Sequence, residues 1–299
     1  MSVSRLTGGQ WALLGSLTLL WGLNWTALKV GLSDIAPWTF RAICLAAGSG
    51  VLFAVLAIGR QPLGVPRSQW GRLVLIAFFT VTCWNMLVAF GVQRLPSGRA
   101  VVLCYTMPVF AIPLAAWWLR ERVTARQVAG LVLGMAGIAL LVTQTLEGLR
   151  SEPVGALCAI GAAMAWGIGT VLQKKYPIDA PLAGMTAWLM LVGGIPIYIG
   201  AAIMDAREAG NFGLAPSLAL AYNVFVAFAF GYWAWIRLVQ SVSVAVFSVC
   251  MLLTPVVGIA SGIVFLGERP TAAEVGARVL VIAALALVAL APQAKEKTR

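Results

Sequence analysis

The stretch Pro108–Thr124 is written twice in this chain, and its second copy runs from Pro255 to Thr271. In each copy a proline opens an apolar run, a glutamate closes it thirteen residues later, and an arginine and a threonine follow: Pro108, Glu121, Arg122 and Thr124 against Pro255, Glu268, Arg269 and Thr271. All four pairs are 147 positions apart in a chain of 299, so the repeat marks a duplication of the whole polypeptide. The echo extends further. Leu20-Trp21-Gly22-Leu23 corresponds to Ala165-Trp166-Gly167-Ile168 and Lys29 to Lys174 at a spacing of 145, while Gln93 matches Gln240 and Asn85 pairs with Tyr232 at 147. Such a chain folds as two similar halves.

What the halves are follows from solvent preference. Apolar residues make up 61% of the chain and charged residues 10%, against about 25% charge in soluble domains, which makes this an integral membrane protein. A helix needs roughly 20 apolar residues to cross a bilayer. Ten runs meet that need, near 11–30, 38–58, 70–92, 95–119, 123–143, 154–174, 181–203, 216–238, 242–266 and 272–291. They are too long and too continuous for barrel strands, and backbone groups in lipid must be satisfied within the segment, so an all-α bundle of ten transmembrane helices is expected. The expected units are a five-helix repeat over 8–146, a second over 153–291 and a basic cytoplasmic tail over 292–299. Five is odd, so the second half enters the membrane from the opposite side and the repeats are inverted around a central cavity. Inverted repeats are the usual architecture of secondary transporters.

Charge placement gives orientation. With the N-terminus inside, thirteen lysines and arginines fall on the cytoplasmic side, and eight, Arg41 among them, on the other. This bias predicts both termini in the cytoplasm. The net charge of +11 is spread singly between apolar runs with no basic face, which fits topology and lipid headgroups as partners and not nucleic acid. Cys44, Cys83, Cys104, Cys158 and Cys250 all lie in apolar runs without CxxC spacing, and histidine is absent, so packing is expected and no metal or other cofactor. No cleavage pattern precedes Trp11, and the first run is expected to stay in the mature chain.

Two five-helix halves, a Trp-Gly in the first and sixth runs, and a proline followed at thirteen by Glu-Arg at the ends of the fourth and ninth resemble the EamA family of the drug/metabolite transporter superfamily. Within it the aromatic-rich chain is similar to bacterial exporters of aromatic and other neutral amino acids. The resemblance implies a ten-helix exporter with a cavity formed mainly by helices 1, 3, 4, 6, 8 and 9. Strict symmetry fails where the fifth run has Gly130, Gly134 and Gly137 against Ala277, Val281 and Ala284 in the tenth.

The candidate solute contacts are Trp21, Asn24, Asn85, Tyr105, Trp166 and Tyr232. Asn24 lies three positions after Trp21 and so shares its face. A membrane-depth amide must find partners, and for Asn24 and Asn85 these are either a solute or a neighbouring helix. Trp21 and Trp166 are repeat equivalents, placed either to wall a cavity for an apolar or cationic group or to pack helices through Gly22 and Gly167. Pro108 and Pro255 are expected to kink their helices and to act in gating, with the carbonyls freed near Tyr105 open to an ammonium. Trp11, Trp38, Trp70, Trp117, Trp118 and Trp188 lie near run ends as interfacial anchors. Lys29 and Lys174 are expected to snorkel from last turns, with binding of a carboxylate as the alternative, Arg122 and Arg269 to form surface pairs or turn contacts, and Gly130 and Gly134 to pack inside a monomer, with a dimer interface as the alternative.

All ten acidic residues fall at run ends, in loops or in the tail, and proton-driven carriers place such groups at membrane depth. Facilitative movement without obligatory proton coupling is therefore expected, and the resemblance implies export across the inner membrane of small neutral or zwitterionic metabolites, aromatic amino acids included. A carrier of other lipophilic or cationic drugs, or a channel, is the alternative. An enzyme is not expected, because the nucleophile–base pairs and metal sites it needs have no parts at membrane depth.

Overall fold

The structure is a computed structural model that describes residues 7–95, 100, 103–143, 152–206, 210, 212–266, 276, 279–280 and 283–284. Among these the chain is helical throughout, with an isolated bridge between Ile35 and Gly210. Helix α1 (Gly8–Gly31) starts at a capping box in which the Thr7 hydroxyl accepts from Gln10 N and the Gln10 side chain accepts from Thr7 N. Helix α2 (Pro37–Ile58) opens with proline in its first turn, where the missing N–H costs nothing. It is capped from a distance, since Asp205 Oδ2 accepts from Thr39 N at 2.8 Å and from Thr39 Oγ1 at 3.1 Å.

The third rod is α3 (Trp70–Ala77), π1 (Phe78–Cys83) and α4 (Trp84–Arg94), continuous with one another. Then come α5 (Met107–Trp118), α6 (Ala125–Thr143), α7 (Pro153–Lys175) and α8 (Leu182–Met204). The next rod repeats the third: α9 (Leu214–Tyr222), π2 (Asn223–Phe230) and α10 (Gly231–Ser241). Helices α11 (Val244–Met251) and α12 (Leu253–Leu266) follow. Five described helical segments are long and apolar enough to cross a membrane: Pro37–Ile58, Arg67–Val92, Pro153–Lys175, Leu182–Met204 and Leu214–Ser241. Large apolar side chains such as Val55, Ile58, Ile203 and Phe225 stay exposed on the outside, as a lipid-facing surface requires.

The expected helix over 95–119 is broken. Residues 105–106 form a turn and α5 starts at Met107, so Pro108 lies in a first turn. In the second half Leu252 is a turn and Pro255 lies in the first turn of α12. The prolines therefore begin helices where kinks were expected; a helix start tolerates the absent N–H, and an interior position does not. Most of the expected tenth run, the tail, Glu268, Arg269 and Thr271 lie outside the described residues.

Packing between the halves is reciprocal. A Cβ at Gly22 of α1 would collide with Val257 and press on the Thr254 carbonyl of α12, and one at Gly167 of α7 would meet Met107 O, Phe110 Cβ and Ala111 N of α5 at 3.1–3.3 Å. Thr254 and Val257 stand 147 positions after Met107 and Phe110. The same glycine contact is thus made twice, each time between a helix of one half and a helix of the other. Gly134 of α6 packs on Leu252, inside the chain. The five cysteines are free, with Cys44, Cys104 and Cys250 buried.

Candidate substrate cavity

A cavity opens where the two halves meet, and it leaves about 60 Å³ for the centres of water-sized molecules. One water needs roughly 10–15 Å³ by that measure, so the space holds several. Trp21, Asn24, Asn85, Tyr105, Trp166 and Tyr232, the six residues singled out from sequence, all line it.

Its aromatic wall is built from both halves. Trp21 of α1 is held by its indole Nε1, which donates to Ala227 O of π2 at 3.0 Å. The Trp166 ring of α7 is 3% exposed and stands edge-on to Trp21 at 5.7 Å, with Trp84 at 4.6 Å and Trp235 at 4.5 Å. Tyr232 stacks on Phe228 at 5.4 Å. Trp21 and Trp166 therefore face each other, and Gly22 and Gly167 also carry close helix packing; the two alternatives coexist. Edge-on rings beyond area burial add roughly 0.5–1.5 kcal/mol per pair.

The polar wall rests on the π segments. Asn85 Nδ2 donates to Val81 O at 2.8 Å and to Tyr232 Oη at 3.3 Å, and Tyr232 Oη donates onward to Thr80 O at 3.4 Å. Both carbonyls belong to π1, whose looser winding leaves backbone oxygens for side chains. Asn85 and Tyr232 are themselves 147 apart, so two equivalent positions touch. These bonds fix the amide: its nitrogen faces the carbonyl, and its Oδ1, on a residue 1% exposed, has no partner. Asn24 Oδ1 is also buried and unpartnered. Tyr105 sits in the turn before α5, its ring 6.3 Å from Trp25. In that turn Thr106 Oγ1 already donates to Leu103 O at 2.7 Å, so this carbonyl is not free for an ammonium.

Sequence reasoning missed Arg41, Trp25 and Phe228 in this wall. Arg41, in the second turn of α2, was counted only as a topology charge, yet it lines the cavity and is 7% exposed. Its Nε has no hydrogen-bond partner, its guanidinium lies 5.8 Å from the Phe228 ring centre, and no acidic partner accompanies it among the described residues. The available signal was a cation inside an apolar run.

Where α5 and α7 end, a second cation is treated differently. Lys174 Nζ pairs with Glu121 Oε1 at 2.6 Å and donates to Val242 O at 2.8 Å, while Val244 N donates to Glu121 Oε2 at 3.0 Å. Lys174 therefore does not snorkel but meets a carboxylate of the protein itself, Glu121, while Arg122 is exposed. An acid within reach, together with two backbone groups of the α10–α11 link, outcompetes the route to headgroups. Among the described residues no group of His, Cys, Asp and Glu could hold a metal ion.

A family model for the EamA-like transporter family matches residues 6–143 and again 153–290. The chain belongs to the EamA-like transporter family. It is 26% identical over 257 residues to the uncharacterized transporter YoaV of Bacillus subtilis, covering 86% of this chain and 88% of that one. It is 27% identical to a probable amino-acid metabolite efflux pump of Escherichia coli, over 90% of this chain and 91% of that protein. A probable terminal-alkyne amino-acid exporter of Streptantibioticus cattleyicolor is 28% identical, over 95% and 94%. A solved crystal structure superposes with a TM-score of 0.81 at 19% identity, covering 96% of this chain and 99% of that one, and so shares its fold. With the apolar helices, family membership makes this EamA-like protein a multi-pass membrane transporter.

Proposed function

We propose that this protein exports small neutral or zwitterionic metabolites, aromatic amino acids among them, across the inner membrane by alternating access, its ten helices forming two inverted five-helix repeats with both termini cytoplasmic. The carrying observation is the cavity itself, which neither half can build alone: Asn85 bonds to its own repeat equivalent Tyr232, and Trp21 faces its equivalent Trp166. Equivalent residues touch only beside an axis relating the halves, and a solute site on that axis is one that both halves can expose in turn. Relatives named as amino-acid exporters support the solute class.

Movement is facilitative in this reading. The described acidic residues Asp34, Glu121, Glu152, Asp179 and Asp205 lie at helix ends or in loops, and none lines the cavity. The test is counterflow in proteoliposomes. Labelled phenylalanine is expected to enter saturably against preloaded unlabelled phenylalanine with no pH gradient. Absence of exchange for every neutral amino acid would overturn the solute class, and a required pH gradient would overturn the uncoupled mechanism.

A further inference from the structure

We infer that Arg41 is the carboxylate anchor of the cavity and that the free amide oxygen of Asn85, beside that of Asn24, takes the ammonium of the same solute. The site is then built for an α-amino acid zwitterion and against amines that lack the carboxylate. This inference rests on the transport reading above and deepens it.

A guanidinium that is 7% exposed inside the bundle, with no carboxylate paired to it among the described residues, is costly, because burial removes hydration that no ion pair replaces. Asp205, the acid that meets the start of the same helix, accepts from Thr39 through Oδ2 and forms no ion pair with Arg41. Nor does the duplicated fold need the charge. The positions 145 and 147 residues after Arg41 are Thr186 and Trp188, so the equivalent helix α8 packs without a cation there. What remains is a planar, permanently charged fork with an unsatisfied Nε, set on a cavity wall, the geometry that matches a carboxylate in two parallel bonds.

The opposite pole is equally marked. Asn85 lines the main cavity together with Arg41, and both also line a smaller adjoining pocket, so the two groups are neighbours across one space. Because the Asn85 amide nitrogen is held by Val81 O and Tyr232 Oη, only its acceptor is left to offer, and an acceptor suits an ammonium. Phe228 and Tyr232, with Trp21 and Trp166, form the apolar remainder that takes the side chain. An amine without a carboxylate would bring a second positive charge beside Arg41 with nothing to neutralise either.

The experiment uses the full-length protein and four probes of one shape: L-phenylalanine, L-phenylalanine amide, phenethylamine and 3-phenylpropionate. Competition against labelled phenylalanine in counterflow is expected to rank phenylalanine at least ~30-fold above the amide and phenethylamine, the penalty for one member of a buried charge pair going missing. Arg41→Gln is expected to lose phenylalanine binding by a similar factor in detergent titrations while phenethylamine binding holds or rises, and Arg41→Lys to restore part of it. Equal competition by phenylalanine and its amide in the wild type, or unchanged phenylalanine binding in a folded Arg41→Gln, overturns the anchor. If that variant does not fold, the wild-type probe series decides alone. Exchange of phenylalanine without preference over its amide removes the anchor and leaves the transport reading standing, whereas no exchange of any amino acid removes both.

Discussion

Two cations in this molecule are taken from water and given opposite treatment. Lys174, at the end of α7, is met by Glu121 at 2.6 Å and by the Val242 carbonyl, and Glu121 is held in turn by Val244 N. Arg41, more fully buried, is met by no acid among the described residues and leaves Nε without a partner. The first arrangement is closed: charge, donors and acceptors are all consumed by the protein, and what it does is tie the end of α5 to the link between α10 and α11. The second is open, and its missing half is supplied from outside. The lesson is that a buried charge reports structure when its partners are present and a ligand when they are absent.

The contrast can be broken by mutation. The largest effect is expected for Arg41→Gln, a loss of at least ~30-fold in phenylalanine binding with thermal stability held or raised, since an uncompensated charge has been removed from a buried place. A lower melting temperature together with intact binding would make Arg41 structural after all. Glu121→Ala is expected to act in the reverse sense. It leaves Lys174 unpaired and Val244 N without its acceptor, and unfolding of the purified protein should show a cost of about 1–3 kcal/mol, with phenylalanine affinity in the cavity unchanged. Combining it with Lys174→Ala should recover about 1 kcal/mol as pair coupling. Next in size is Asn85→Ala, expected to weaken ammonium-bearing probes about tenfold while 3-phenylpropionate is unaffected, as read by titration. Smallest is the response to salt. The Glu121–Lys174 side chains are 16% and 19% exposed, so raising ionic strength should lower the melting temperature slightly, and phenylalanine binding at Arg41 should move less.

Much of the architecture was legible because lipid imposes it. Apolar runs near 20 residues and a spacing of 147 leave few choices, and Asn85 and Tyr232, paired by arithmetic, do touch. The six cavity residues were found because each is a polar or aromatic group deep in an apolar run. Arg41 stands near the start of its run and was passed over, because a basic residue near a run's end is also what topology predicts, and sequence does not show which way a long side chain turns. Lys174 was misread for the matching reason: its partner Glu121 is 53 positions away, on a helix whose neighbour only the folded bundle reveals. The breaks before Pro108 and Pro255 were expected as kinks, since sequence locates a missing N–H without saying whether the helix bends around it or begins again.

The two π segments carry a last consequence. Phe78–Cys83 and Asn223–Phe230 occupy matching stretches of the two halves, each wound one residue looser than the helices that continue it. One residue of an α-helix corresponds to a rotation of about 100°. Each slack turn thus sets the azimuth of everything beyond it, and Trp84, Asn85 and Tyr232 all lie beyond. Tightening either coil by a single residue would swing those side chains out of the cavity wall without unfolding the rod, so the same backbone that aims the amide inward also holds the means to aim it elsewhere.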